Sequence, residues 1–206
     1  LKSSDKMIIR SNEEVIKNAV ENGTLEDLLR DIEYNIGEQK KKGHNNNELQ
    51  HLYNKIKNSS KSTEYLFKMY NDSDRKNETV NNEIRKYEGQ LRYNIKIFFK
   101  AYKKHLQKTK QFKNVRVDYI LKNFPSLEKV YPQIRCQEKK VLLMTVHKAM
   151  RGIDPILAES MSLKDFVDNK HKALILFDES DQAAMAMRDV IIDQSLGNLG
   201  DYKDRY

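Results

Sequence analysis

Tryptophan is absent from this 206-residue chain, cysteine occurs once, proline three times and glycine seven times. So few glycines and prolines argue against an all-β fold, which needs turn-makers at short intervals, and helices are expected to dominate. A lone Cys136 excludes an internal disulfide and suits a reducing compartment. A cytoplasmic location is therefore expected, with secretion as an effector left open. One cysteine cannot build a structural zinc site, and His44, His51, His105, His147 and His171 show no paired ligand spacing. No apolar run approaches the roughly 20 residues that span a bilayer, so no transmembrane segment is expected. No signal-peptide pattern opens the sequence, and its start on Leu1 fits a piece excised from something longer.

What the chain has in quantity is charge. Charged residues make up 33% of it against 38% hydrophobic, a balance suited to long solvated helices attached to a smaller globular part. The formal net charge of +8 favours polyanionic partners, nucleic acid or anionic membrane.

Met7–Ile9 read as a short strand, followed by a helix whose capping box is Ser11 with Glu14 and whose end is Gly23. Thr24 is expected to cap a second helix, with Leu25, Leu28, Leu29, Ile32 and Ile36 on one face. After the polar break at 40–47, Leu49, Leu52, Ile56, Thr63, Leu66 and Tyr70 recur at helical spacing. The turn "NDSDRKN" leads into the longest periodic segment, with its seam at Val80, Ile84, Tyr87, Leu91, Ile95, Phe98, Tyr102 and Leu106. The spacing predicts an antiparallel helix hairpin. Beyond Asn114 the texture changes. "KKVLLMT" and "KALILF" read as buried, non-alternating strands separated by short helices, and "DQAAMAMRDVIIDQS" as a closing amphipathic helix. The pattern implies a parallel sheet covered on both faces. Three segments follow: 1–23 with the first strand and helix, a helical insertion over 24–113, and the remaining strands and helices over 114–206.

Two strand ends carry chemistry. "LILFDESD" ends in acid, and in parallel sheets ligands sit beyond the carboxyl ends of the strands. There Asp178 can hold Mg²⁺ through a water while Glu179 polarises an attacking water; the bland alternative is that Asp181 caps the last helix. "VLLMTVHKAM" ends in Thr145, with His147 and Lys148 just beyond, groups that reach a phosphate backbone or, equally, an ordinary capped turn.

In this order the two motifs resemble the first RecA-like domain of superfamily 2 helicases of the DExD/H class. The resemblance covers about 60 residues towards the C-terminal end and a few at the N-terminus. It implies an α/β fold, a partial RecA-like parallel sheet with a large, mainly α-helical insertion, helix-dominated overall. It also implies ATP and Mg²⁺ as cofactors, Asp178 and Asp181 at the nucleotide, and Glu179 as activator of water. Ser180 and Asp181 would couple hydrolysis to motion, and Ser11, Asn12, Thr145, His147 and Lys148 would face bound DNA or RNA. The sequence departs from that class in lacking G-x-x-x-x-G-K-[ST], an S-A-T-like third motif and a second motor domain. An internal slice of the domain, inactive alone, reconciles these, as does a degenerate relative that does not use ATP.

Arg92, Lys96, Lys100, Lys104 and Lys108 step by four along the longest helix, thickened by Lys103, Lys110 and Lys113. A polyanion lying there would release several counterions; the plainer reading is a solvated face opposite the seam. Tyr93 and Phe99 lie among these cations and are expected to pack on the partner helix. The rival to a nucleic-acid surface is a protein-interaction module that uses the hairpin to bind a partner protein.

Overall fold

A computed structural model of the chain describes residues 6–70, 77–109, 115–139, 141–145, 149, 152–153, 155–158, 185, 188 and 191–192. Helix accounts for 77% of them. The elements are β1 (Lys6–Ile9), α1 (Asn12–Glu21), α2 (Thr24–Lys41), α3 (Asn47–Met69), α4 (Glu78–Lys108), α5 (Val117–Asn123) and α6 (Pro125–Val130). A 3₁₀ segment (Pro132–Glu138) and β2 (Val141–Met144) complete the set. Ser11–Arg135 with Pro155–Ala158 form a helical unit, and the other described residues belong to a second unit that contains both strands.

The helical unit takes in α1, α5 and α6 together with the hairpin. Val15, Ile16, Ile120, Leu121, Leu127 and Val130 lie in the same core as the hairpin. The reason is local: the apolar face of α1 continues into that of α2 across a two-residue joint, so both bury together. Ser11 Oγ accepts the Glu14 N–H at 3.2 Å and starts α1 as the capping signature predicts. Gly23, at φ +68°, turns the chain where a side chain would be strained. Thr24 does not cap α2. It is the first residue of that helix, and its hydroxyl donates back to the Ala19 carbonyl at 3.2 Å, because the turn at Gly23 folds α2 against the end of α1.

Helices α3 and α4 pack along their lengths. Tyr70 bonds to Glu83, Ser59 to Asn94, and the His44 ring meets His105, so the partners run in opposite directions and the hairpin is antiparallel as expected. Of the predicted α4 seam all but Tyr87 are buried, and Phe99 and Glu88 join them. On α3 the buried face includes Ser59, Ser60 and Thr63. The Ser59 hydroxyl donates to backbone carbonyls of its own helix and accepts from Asn94 Nδ2 at 3.2 Å; Thr63 donates to the Ser59 carbonyl at 2.8 Å. Small hydroxyls that satisfy themselves on the helix backbone lie in the interface without an unpaired polar group.

The segment "NFPSLEKVYP" breaks twice for one reason. Phe124 and Tyr131 each precede proline, whose ring disfavours the α region for the residue before it. They adopt φ/ψ of −132°/65° and −128°/75°. Both rings are fully buried, and Phe124 meets Phe99 and Tyr102 edge-on with centroids 5.0 Å apart. The break at Phe124 frees backbone groups, and α2 satisfies them. Asp31 Oδ2 accepts the Ser126 N–H at 2.9 Å; Asn35 Nδ2 donates to the Asn123 carbonyl at 2.8 Å and to the Asp31 carbonyl at 2.8 Å. At the far side of the unit Gln133 Nε2 donates to Asn12 Oδ1 at 3.4 Å, which holds the entry and exit of the helical unit side by side.

In the second unit β1 and β2 pair in parallel, Lys6 beside Val141 through Ile9 beside Met144. Parallel strands need a crossover, and here the helical unit occupies it. Ile9 packs with Cys136 and Ile153, and the Cys136 thiol is buried. Ile8 and Leu143 depart from the expectation of a sheet covered on both faces, being 62% and 51% exposed. Neighbouring strand residues point to opposite faces, and among the described residues only the face of Ile9 is packed. The second expected strand, Lys172–Phe177, lies outside the described residues, as does most of the closing helix; Met185, Arg188, Ile191 and Ile192 from it are helical.

Asn35 is 7% exposed and serves two carbonyls, so its loss strands buried acceptors. Asn35→Ala is expected to lower the unfolding free energy by about 1–3 kcal/mol in urea titrations, while the neighbouring exposed Tyr34→Ala changes it by less than about 0.5 kcal/mol. Equal midpoints for the two variants would show that the Phe124 joint does not depend on α2.

Candidate nucleic-acid interface

The candidate residues fall into two groups, the strand ends and the cationic row on α4. Ser11 and Asn12 belong to the helical unit, where the Ser11 hydroxyl caps α1 and the Asn12 amide oxygen receives Gln133. Thr145 belongs to the other unit, exposed just after β2, and its carbonyl accepts the Ala149 N–H at 3.0 Å. His147, Lys148, Asp178, Glu179, Ser180 and Asp181 lie outside the described residues. The register of the strands adds a residue that motif reading passed over. Ile9 pairs with Met144, so Arg10 and Thr145 leave the sheet at the same end, and Arg10 is exposed. Its signal in the sequence is its place directly after the Met7–Ile9 run.

Helix geometry refines the picture of the row. At 3.6 residues per turn each four-residue step advances about 6 Å along the axis and about 40° around it. Arg92, Lys96, Lys100, Lys104 and Lys108 therefore form an inclined row and do not share one straight face. The burial follows that drift. Arg92 and Lys96 are partly covered, Lys100, Lys104 and Lys108 exposed. Arg92 Nε is 2.9 Å from Glu88 Oε1, a carboxylate on the seam side that is 4% exposed, so the first cation of the row is committed within the fold. Among the described residues no ion pair engages Lys100, Lys104 or Lys108. Lys103 does not thicken the row. Its Nζ donates to the Leu157 carbonyl at 2.8 Å, and burial lowers its pKa. Lys110 and Lys113 lie outside the described residues.

The two aromatic residues of the row part company. Phe99 packs as expected, fully buried against Phe98 and Phe124. Tyr93 does not pack: it is 62% exposed. Two residues past Leu91 on the seam means about 200° around the helix, which points Tyr93 away from α3. Among the described residues no group of three His, Cys, Asp or Glu side chains lies close enough to hold a metal ion. No helix among them is long and apolar enough to cross a membrane.

One histidine pair, invisible at a separation of 61 positions, comes together at the end of the hairpin. The rings of His44 and His105 stand edge to face with centroids 5.8 Å apart, and His105 Nε2 is buried without a hydrogen-bond partner among the described residues. Burial first, then the His44 ring and Lys108, lowers the His105 pKa, opposed by Glu48. A histidine with a depressed folded-state pKa takes up its proton more readily when unfolded, so its contribution to stability is present above its ordinary value and lost as pH falls below it. The thermal midpoint of the wild-type chain is therefore expected to drop more between pH 7.5 and 5.5 than that of His105→Gln. Parallel curves for the two proteins would remove His105 as the source. Comparison with protein-family models, with curated proteins and with solved structures returned no match.

Proposed function

We propose that this chain is a nucleic-acid-binding part of a DExD/H-type ATPase, in which the outward side of α4 forms a binding surface additional to the strand ends. The observation that carries it is the row of Lys100, Lys104 and Lys108, exposed and without counter-ions among the described residues. Phosphates bound there displace condensed counterions, which makes affinity fall steeply with salt. The parallel pairing of β1 with β2 supports the RecA-like reading, because it sends Arg10 and Thr145 out of the same sheet end, where ligands of parallel sheets lie. Asp178 with Mg²⁺, Asp181 at the nucleotide and Glu179 at the attacking water remain the roles that the motif implies for ATP hydrolysis. The sequence contains no phosphate loop, so the chain by itself is not an ATPase on this reading.

The test is fluorescence anisotropy of a labelled single-stranded oligonucleotide across a range of salt. Every phosphate that the protein no longer neutralises lowers the slope of log affinity against log salt by about 0.7. The triple variant Lys100→Ala, Lys104→Ala, Lys108→Ala is expected to reduce it by about 2, with an unchanged circular dichroism spectrum, since all three side chains are solvated. A wild-type chain that binds nothing, or a triple variant with the wild-type slope, sinks the proposal.

A further inference from the structure

Tyr93 is the one large apolar side chain that α4 turns to solvent. A tyrosine ring on a solvated helix face is ordinary when isolated, but its surroundings here are particular. Lys86 stands seven residues before it and Lys100 seven after, a spacing that drifts only about 20° and sets the three side chains in a nearly straight line, about 10 Å per step. Lys96, one turn on, flanks the ring. Between Lys86 and Lys108 the sequence has one carboxylate, Glu88, and it is buried on the seam side. The Tyr93 hydroxyl has no hydrogen-bond partner among the described residues, and the ring makes no aromatic contact among them.

Gly89 lies one turn before Tyr93, on the side towards which helical side chains lean. The space where its Cβ would stand is open, with no atom within 4 Å. Glycine inside a helix costs about 1 kcal/mol relative to alanine, and neither a positive φ nor a close approach explains this one. The glycine leaves the ring uncrowded between cations spaced along a line. That combination is suited to a polyanion whose units carry flat aromatic faces.

Resting on the nucleic-acid reading above, we infer that Tyr93 is a stacking platform for an unpaired base, so that the ligand of α4 is single-stranded nucleic acid whose backbone follows Lys86, Lys96, Lys100 and Lys104. A paired base in a duplex cannot offer its face to a side chain without unstacking, whereas a single strand can.

The absence of tryptophan makes the test direct, because Tyr93→Trp introduces the chain's one indole, which can be excited selectively beyond the tyrosine band. Its emission is expected to be quenched by an unlabelled single-stranded oligothymidylate and unaffected by inorganic polyphosphate of equal charge. Tyr93→Ala is expected to weaken oligonucleotide binding about 5- to 150-fold while leaving the salt slope unchanged, and Tyr93→Phe to bind as wild type. If the wild-type chain binds no oligonucleotide, the underlying nucleic-acid reading fails and this inference with it. If it binds with a steep salt slope but Tyr93→Ala is as tight and Tyr93→Trp is not quenched, stacking alone is overturned. Duplex bound as tightly as single strand, or a blue shift of Tyr93→Trp on anionic vesicles with no response to oligonucleotide, also overturns it.

Discussion

The helical unit depends on how α2 accepts a broken helix. Proline after Phe124 forbids a continuous helix from α5 into α6, and the break is useful only if the backbone groups it frees find partners. Asp31 and Asn35, one turn apart on α2, supply an acceptor for Ser126 N–H and a donor for the Asn123 carbonyl. With those bonds made, Phe124 is driven into the space between Phe99 and Tyr102, and the hairpin, α2 and α5–α6 share one core. Burial of a large ring supplies the free energy, and two polar side chains decide where it goes.

The same division of labour runs along α4. Its inner side is a continuous seam against α3, interrupted by Glu88, whose charge is met by Arg92. Its outer side holds lysines and one aromatic ring. The seam fixes the rotation of the helix, and rotation alone determines which residues are offered to solvent. What this helix offers to solvent is thus set by packing on the opposite side.

That logic also explains what could be read from the chain unaided. The apolar seam was legible because eight residues recur at steps of three and four in a segment with no competing signal, and the antiparallel hairpin follows from it. Ser59, Ser60 and Thr63 were not, since small hydroxyl residues look like loop in isolation and become interface only when α4 lies against them. Thr24 carries the residue type of a cap, yet the turn at Gly23 gave its hydroxyl a nearer acceptor. In the candidate site, the lysine row was visible as spacing, but its inclination and the diversion of Lys103 to Leu157 needed the fold. Tyr93 and Phe99 are both aromatic neighbours of lysines; six positions of helical rotation, about 240°, separate a core residue from an exposed one. The His44–His105 pairing had no signal at all, because nothing local links a loop after α2 to the last turn of α4.

The hydrogen bond between Gln133 and Asn12 bears on the order in which the chain folds. β1 ends at Ile9 and β2 begins at Val141, so the strands must close a loop of roughly 130 residues if they meet first. Once the helical unit has formed, Asn12 and Gln133 are already held together and the effective loop shrinks to roughly a dozen residues. On the logarithmic scaling of closure entropy this difference amounts to about 2 kcal/mol. Strand pairing then costs less chain entropy than it would from an unfolded intervening segment. A substitution that removes the bond between Gln133 and Asn12 would raise the entropy of closing that loop although neither residue belongs to a strand.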